Sequence, residues 1–226
     1  DEMFLLNQNY YKPICEELSK FEKKFHIWAY SRIDTVRGSL LNLVKNAGIE
    51  WLALGIEAGV QTIRVTSSKG SFKDTNVRDI CKLIEEHKIN VISNFIVGLP
   101  NDSYETMLTT LQLALELNTA MMNVYPCMKL PGSQLYSDAS KNKEDLPKKD
   151  QEFAFLSYDS KPSGTKYLSN KDVINFRDYF WKTYFSNPFY LEKIEKLFGI
   201  KQRDNVEEMA SHKLKRKIIE ESSNYQ

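Results

Sequence analysis

Helical and strand-like spacing alternate at least four times between Pro13 and Met128, which limits the chain to folds built from βαβ units. Ile14, Leu18, Phe21 and Phe25 recur at helical intervals and predict a helix over 13–25, feeding an aromatic and aliphatic strand over 26–33. The pattern repeats as an amphipathic helix over 39–47 closed by Gly48, then an apolar strand over 49–57. Asn76 can cap a helix over 77–88, and the strand after it, 89–99, stops at Pro100. Asn101-Asp102-Ser103 caps a helix over 104–117, and a strand over 121–128 ends before Pro131-Gly132. Single helices between strands make right-handed crossovers and a parallel sheet, either doubly wound or part of a β/α barrel.

The strand faces favour the barrel. Over 49–57 one face carries Trp51, Ala53, Gly55 and Glu57 and the other Leu52, Leu54 and Ile56, so one side packs on helices while the other is small and ends in a carboxylate. The faces of Trp28, Tyr30 and Arg32 and of Asn123, Tyr125 and Cys127 also end in polar groups, and the C-terminal strand ends are where β/α barrels place their sites. Glu57, ahead of Ala58-Gly59, either meets a ligand or is a rim carboxylate bonded to a loop. Arg32 with Asp34 is a ligand clamp or a local ion pair. Asn94, inside an apolar strand, binds a ligand or satisfies its amide within the core. Gly98 through Ser103 supply a tight turn and a helix N-terminus suited to polar or anionic groups.

After Pro131 the pattern changes. Residues 137–150 read as a charged surface excursion and 153–158 as a short strand or an extended segment. A helix starting at Ser169 or Asn170 carries Val173, Phe176, Phe180 and Tyr184 and breaks at Pro188; a second, with Leu191, Ile194, Leu197 and Phe198, ends at Gly199. Met209, Leu214, Ile218 and Ile219 predict one final helix, with Lys213, Lys215, Arg216 and Lys217 as its solvated face. His26, His87 and His212 are scattered. Lys plus Arg at 31 against Asp plus Glu at 30 leaves a formal charge of +1, too balanced for a nucleic-acid partner. No apolar run approaches the ~20 residues that span a bilayer, and the acidic first residues are unlike a signal sequence, so the reading is cytoplasmic with no membrane partner. Cys15, Cys81 and Cys127 are odd in number and form neither CxxC nor CxxxCxxC, so no complete metal site is expected. The chain opens at Asp1 without an initiator Met, which reads as a piece of a longer polypeptide.

Asp1-Glu2-Met3-Phe4, Trp28 through Asp34, Gly55-Ile56-Glu57-Ala58-Gly59-Val60-Gln61 with Ser68-Lys69-Gly70, Asn94 through Pro100, and Tyr125 through Tyr136 follow one another in a recognisable order. Together they resemble the second to sixth strand ends of the radical S-adenosylmethionine (SAM) superfamily, most closely its branch with an upstream cobalamin-binding domain. The resemblance implies a partial (β/α) TIM-like barrel over 1–136 and a mostly helical C-terminal extension over 137–226. It implies SAM across the barrel top, its amino group received by Asp1 or Glu2 and its carboxylate or neighbouring polar atoms paired with Arg32 and Lys69. Glu57 and Asn94 would bond other polar groups, including the ribose, and Tyr125 would face the same concavity. In that family a [4Fe-4S] cluster reduces SAM to a 5′-deoxyadenosyl radical that abstracts hydrogen from a small-molecule substrate, and cobalamin members commonly transfer a methyl group. The family's CxxxCxxC loop follows its first strand. The cluster ligands and the cobalamin domain are therefore expected on an upstream part of the same polypeptide, and these 226 residues alone are expected to be inactive. Two other readings compete. A non-redox barrel enzyme such as an aldolase or hydrolase would need Lys or His at a strand end. A non-catalytic interaction module would not bind SAM.

Overall fold

The computed structural model describes residues 3–23, 25–67 and 76–223. After a 3-10 turn at Phe4–Leu6, the elements run α1 (Gln8–Leu18), β1 (Ile27–Arg32), α2 (Leu41–Asn46), β2 (Ile49–Glu57), α3 (Gln61–Ser67), α4 (Val77–Glu86), β3 (Asn90–Val97), α5 (Tyr104–Leu117) and β4 (Met121–Pro126). Then come α6 (Gln134–Lys141), α7 (Asn170–Phe185), α8 (Pro188–Phe198), α9 (Ile200–Ser211) and α10 (Lys217–Ser223). The four strands form one parallel sheet in the order β1-β2-β3-β4. A doubly wound sheet reverses its strand order part-way; this one advances in a single direction with helices in each crossover, as the wall of a barrel does.

Two compact units make up the chain, residues 1–95 with 112–123 and residues 96–111 with 124–226. In the first, the alternation read from β2 holds at its C-terminal end, where Leu54 and Ile56 are fully buried while Gly55 and Glu57 remain partly accessible. Trp51 is also partly accessible, but Ala53, expected on that open face, is buried along with Leu52. The buried face joins Tyr11 and Cys15 of α1, Leu41 and Val44 of α2, and Val77, Cys81 and Ile84 of α4 in the core. Ser93, a hydroxyl in the buried face of β3, shares a hydrogen bond of 2.7 Å with Thr119, so its burial leaves no polar group unsatisfied. Helix α1 starts five residues before the expected Pro13, because Asn7 accepts a hydrogen bond from Asn9 N–H and caps it there.

In the second unit α7 is the organising element. Ser169 and Asp172 form a reciprocal capping box at its start, and Phe176, Phe180, Tyr184 and Phe185 bury its inner side. Ring contacts continue into α8, with Tyr190 4.8 Å from Tyr184 and 5.3 Å from Phe185 between centroids. Gly98, at φ 80°, is required where α7 passes: a Cβ there would come within 2.4 Å of Val173 Cγ1.

Four expectations are corrected in this unit. The excursion over 137–150 holds α6, capped by Ser133 Oγ, which accepts from Tyr136 N–H; the surrounding charges hid the Leu135 and Ala139 spacing. Residues 153–158 form no strand but follow a 3-10 turn at Asp150–Phe153, because the carbonyls of Leu156 and Ser157 are taken by a side chain rather than a neighbouring strand. That side chain is Arg216, which was read as solvated and is 5% exposed. It divides the expected single C-terminal helix into α9 and α10 by burying itself between them.

Arg216 also makes a bidentate pair with Asp178 at 2.8 Å on each arm, and Asp178 receives Arg177 at 2.8 Å as well. Arg177, likewise 5% exposed, donates its Nε–H to Val124 O at the end of β4. One carboxylate thus holds two buried guanidinium groups and ties together β4, α7, the 156–157 backbone and the start of α10. Removing it leaves two buried cations unpaired, so Asp178→Ala is expected to cost about 3–5 kcal/mol of unfolding free energy. Removing the exposed pair of Arg78 with Glu116 by Arg78→Ala should change it by no more than about 1 kcal/mol. Chemical denaturation followed by circular dichroism measures both; equal losses would show that the Asp178 cluster carries no special weight.

Candidate functional site

The register of the sheet lines up the polar residues read from the sequence. Arg32 pairs with Gly55 across β1 and β2, and Gly55 pairs with Asn94 across β2 and β3. Asn123 on β4 extends the row by donating its amide to Asn94 Oδ1 at 2.9 Å. Asn94 in turn donates to Leu54 O at 3.1 Å. The row sits near the C-terminal ends of the strands on the face away from the packed core.

Glu57 reaches the row by a break in the strand. Beyond Gly55 the ladder slips, so that Glu57 rather than Ile56 opposes Phe95, which is a β-bulge. Ala58 N–H then donates to Ile56 O at 2.9 Å across Glu57, which stands at φ 67°. This three-residue turn is strained for a residue with a Cβ, at a cost of about 1–3 kcal/mol. It is held from below by the buried Arg64 of α3, whose guanidinium donates to Ala58 O at 2.9 Å and Gly59 O at 3.3 Å. The turn swings the Glu57 carboxyl back over Gly55, where a Cβ would lie only 2.6 Å from Oε1. Gly55 therefore forms a floor, with Arg32 and Asn94 on either side and the Glu57 carboxyl above it.

Burial pushes the Glu57 carboxyl above the usual carboxylate range, and the Arg32 guanidinium opposes that rise. Arg32 is itself bidentate with Asp34, at 2.9 and 2.7 Å, so the local ion pair left open by the sequence is present. Tyr125 lies two residues beyond Asn123 on β4 and meets Phe155 edge-on at 5.7 Å. Asp1, Glu2 and Lys69 lie outside the described residues. Sequence reasoning did not weigh Asn123 as a site residue. The signal was a second amide in an otherwise apolar strand, which pays its desolvation by pairing with the first.

A cation, an amide and an acid gathered around a bare glycine offer both donors and acceptors at short range, a set that suits a zwitterionic ligand such as SAM. The cysteines do not suit an iron–sulfur cluster. Cys15, Cys81 and Cys127 are each buried, on α1, on α4 and after β4, and burial pushes the Cys15 and Cys127 thiols up to about 11, away from the thiolate that a cluster needs. Among the described residues no group of three His, Cys, Asp or Glu side chains could hold a metal ion, and no helix is long and apolar enough to cross a membrane.

No family model matches the chain. Over 198 residues, 85% of its length, it is 28% identical to the anaerobic magnesium-protoporphyrin IX monomethyl ester cyclase of Rubrivivax gelatinosus, and it spans 35% of that protein. Among solved structures it resembles the radical SAM methyltransferase TsrM of Kitasatospora setae, determined with cobalamin and a [4Fe-4S] cluster bound. The match has a TM-score of 0.57 and 13% identity and covers 67% of this chain and 31% of that one. A second TsrM structure, with tryptophan and a SAM analogue, matches at a TM-score of 0.50 and 14% identity, over 55% of this chain and 25% of that one. The chain thus shares the fold of the radical SAM methyltransferase TsrM. It spans about a third of the length of the curated relative and of the TsrM chain.

The partly buried Glu57 carboxyl gives a test of the site's electrostatics. The folded state holds its proton more tightly than the unfolded chain. This contribution to stability is therefore full below the ordinary Glu range near ~4.3 and is lost as pH rises through the folded-state value. Glu57→Gln removes the titration. The variant should unfold at a higher temperature than the wild type at pH 8, and the gap should close by pH 4. A gap that stays constant with pH would show that Glu57 is not buried in the way described.

Proposed function

We propose that this chain is the SAM-binding part of a radical SAM enzyme that uses cobalamin and transfers a methyl group to a small molecule. The observation that carries the reading is the in-register row of Arg32, Gly55 and Asn94 with the Glu57 carboxyl folded over it. TsrM, the methyltransferase with the same fold, binds cobalamin and a [4Fe-4S] cluster. Because the three cysteines here do not suit a cluster, the reading assigns the cluster ligands and the cobalamin site to parts of the enzyme outside these residues. SAM bound at the row would supply the 5′-deoxyadenosyl group for hydrogen abstraction.

The roles of the chain's own residues follow from their chemistry. Gly55 makes room for the Glu57 carboxyl to lie over the sheet beside the ligand, since a Cβ there would come within 2.6 Å of Oε1. Arg32 offers a guanidinium to the SAM carboxylate, with Asp34 fixing its orientation. Glu57 and Asn94 offer an acceptor and an amide to ammonium and hydroxyl groups. The strained turn at Glu57 keeps its carboxyl in place before the ligand arrives, which reduces the ordering cost of binding.

Calorimetric titration of SAM into the anaerobically reconstituted full-length polypeptide tests this. Asn94→Ala should lose about 1–3 kcal/mol of binding free energy. Gly55→Ala should weaken SAM binding comparably while leaving the fold intact, because its new Cβ meets the flexible end of Glu57 rather than backbone. Wild-type affinity in both variants would remove the row from the SAM site.

A further inference from the structure

A cavity of about 320 Å³ opens within the second unit, beside Gly98 and Pro100 at the end of β3 and Cys127 and Lys129 after β4. Its far wall is the segment Ser163 to Lys166, and that wall is built rigidly. Ser163 N–H donates to Cys127 O at 3.0 Å, Lys166 N–H to Pro100 O at 2.9 Å, and Thr165 Oγ1 to Asp102 O at 2.8 Å. Asp102 is fully buried and holds the turn in place by accepting from Leu99 N–H at 2.9 Å and Thr106 Oγ1 at 2.7 Å. The cavity therefore has a fixed shape before any ligand enters.

Its polar groups are mostly donors. The Lys129 side chain is only 14% exposed, and its ammonium has three N–H donors against a single carboxylate partner among the described residues, Glu144. Ser163 and Gly164 line the same cavity, and neither Ser163 Oγ nor Gly164 N–H makes a hydrogen bond to a described residue. Lys166 adds a second ammonium on the rim. Burial keeps Cys127 a neutral thiol, so no thiolate competes for these donors. Among the side chains that line the cavity, two lysines against one glutamate leave a single surplus positive charge. The nearby Asp102 carboxyl is spent on Leu99 N–H and Thr106 Oγ1, and burial raises it above the usual carboxylate range. The neighbouring Lys161 is already matched by Asp145 at 2.7 Å.

We propose that this cavity binds the carboxylate of a small organic acid, which bridges the Lys129 ammonium, Ser163 Oγ and Gly164 N–H. One surplus positive charge suits a monoanion better than a phosphate dianion, and a charge-assisted hydrogen bond to a partly buried ammonium is the strong kind. That the acid is the substrate of the enzyme proposed above rests on that reading; the carboxylate site itself does not.

The test is a ¹H–¹⁵N NMR titration of the 226-residue chain with sodium butyrate, and separately with inorganic phosphate, both without SAM. Butyrate should shift the Gly164 amide saturably. Lys129→Met should weaken that response at least tenfold, and Lys129→Arg should stay within about threefold of the wild type. If Lys129→Met does not give a dispersed spectrum, Ser163→Ala and Lys166→Met replace it, each expected to weaken butyrate several-fold. A wild-type chain that does not respond to butyrate, unchanged binding in Lys129→Met or in both replacement variants, or phosphate binding more tightly than butyrate would each overturn the proposal. Since SAM is absent from this titration, its outcome is independent of whether the row at Gly55 binds SAM.

Discussion

The pairing of β2 with both of its neighbours governs what the strand ends can do. Because Arg32, Gly55 and Asn94 stand in one register row, a guanidinium and an amide flank a position with no side chain. A slip of one residue in either ladder would turn a charged group into the packed face, where Leu52, Leu54 and Ile56 leave no room for it. The hydrophobic face and the polar row are therefore specified by the same alternation, and neither can drift without the other. The ladders shift at two places, between Ile27 and Trp28 where β1 and β2 begin to pair and at Ile56, and the second occurs where the strand has already delivered its apolar residues to the core.

The second unit solves a different problem. The end of β4 presents backbone carbonyls, and a sheet edge left bare invites unwanted pairing. Here a buried arginine caps Val124 O, and the backbone N–H of Ser163 takes Cys127 O. Covering the edge in this way demands buried positive charge. Asp178 neutralises part of it and draws the C-terminal segment into the same cluster through Arg216.

Much of this was legible from residue order. The extents of β2 and α5 match the apolar runs that predict them, since both are bounded by clear punctuation: Gly48 and Ala58-Gly59 for the strand, Asn101-Asp102-Ser103 for the helix. The positions of the polar strand ends were also readable, as a Glu, an Arg and an Asn in apolar company, although the local partners that two of them find, Asp34 for Arg32 and Leu54 O for Asn94, were left open. What could not be read depended on contacts distant in sequence. Arg216 sits in a run of lysines and looks solvated until Asp178 and the 156–157 carbonyls are brought to it. The turn at Glu57 was hidden for a related reason: alternation puts Glu57 on the right face, but only the left-handed backbone folds its carboxyl over Gly55.

The two asparagines of the row have a further consequence. Asn123 gives its amide hydrogen to Asn94, and Asn94 gives its own to the carbonyl of Leu54, so the two side-chain dipoles align head to tail from β4 toward β2. That alignment has a polarity and cannot be reversed, because the last acceptor is a main-chain oxygen that can never donate. It leaves Asn123 with an oxygen at the upstream end that can take a hydrogen bond without disturbing the rest. An aspartate at position 94 would be nearly isosteric yet would set two oxygens against each other at Leu54, so at this position shape is a poor guide to what the sheet tolerates and the direction of the amide decides.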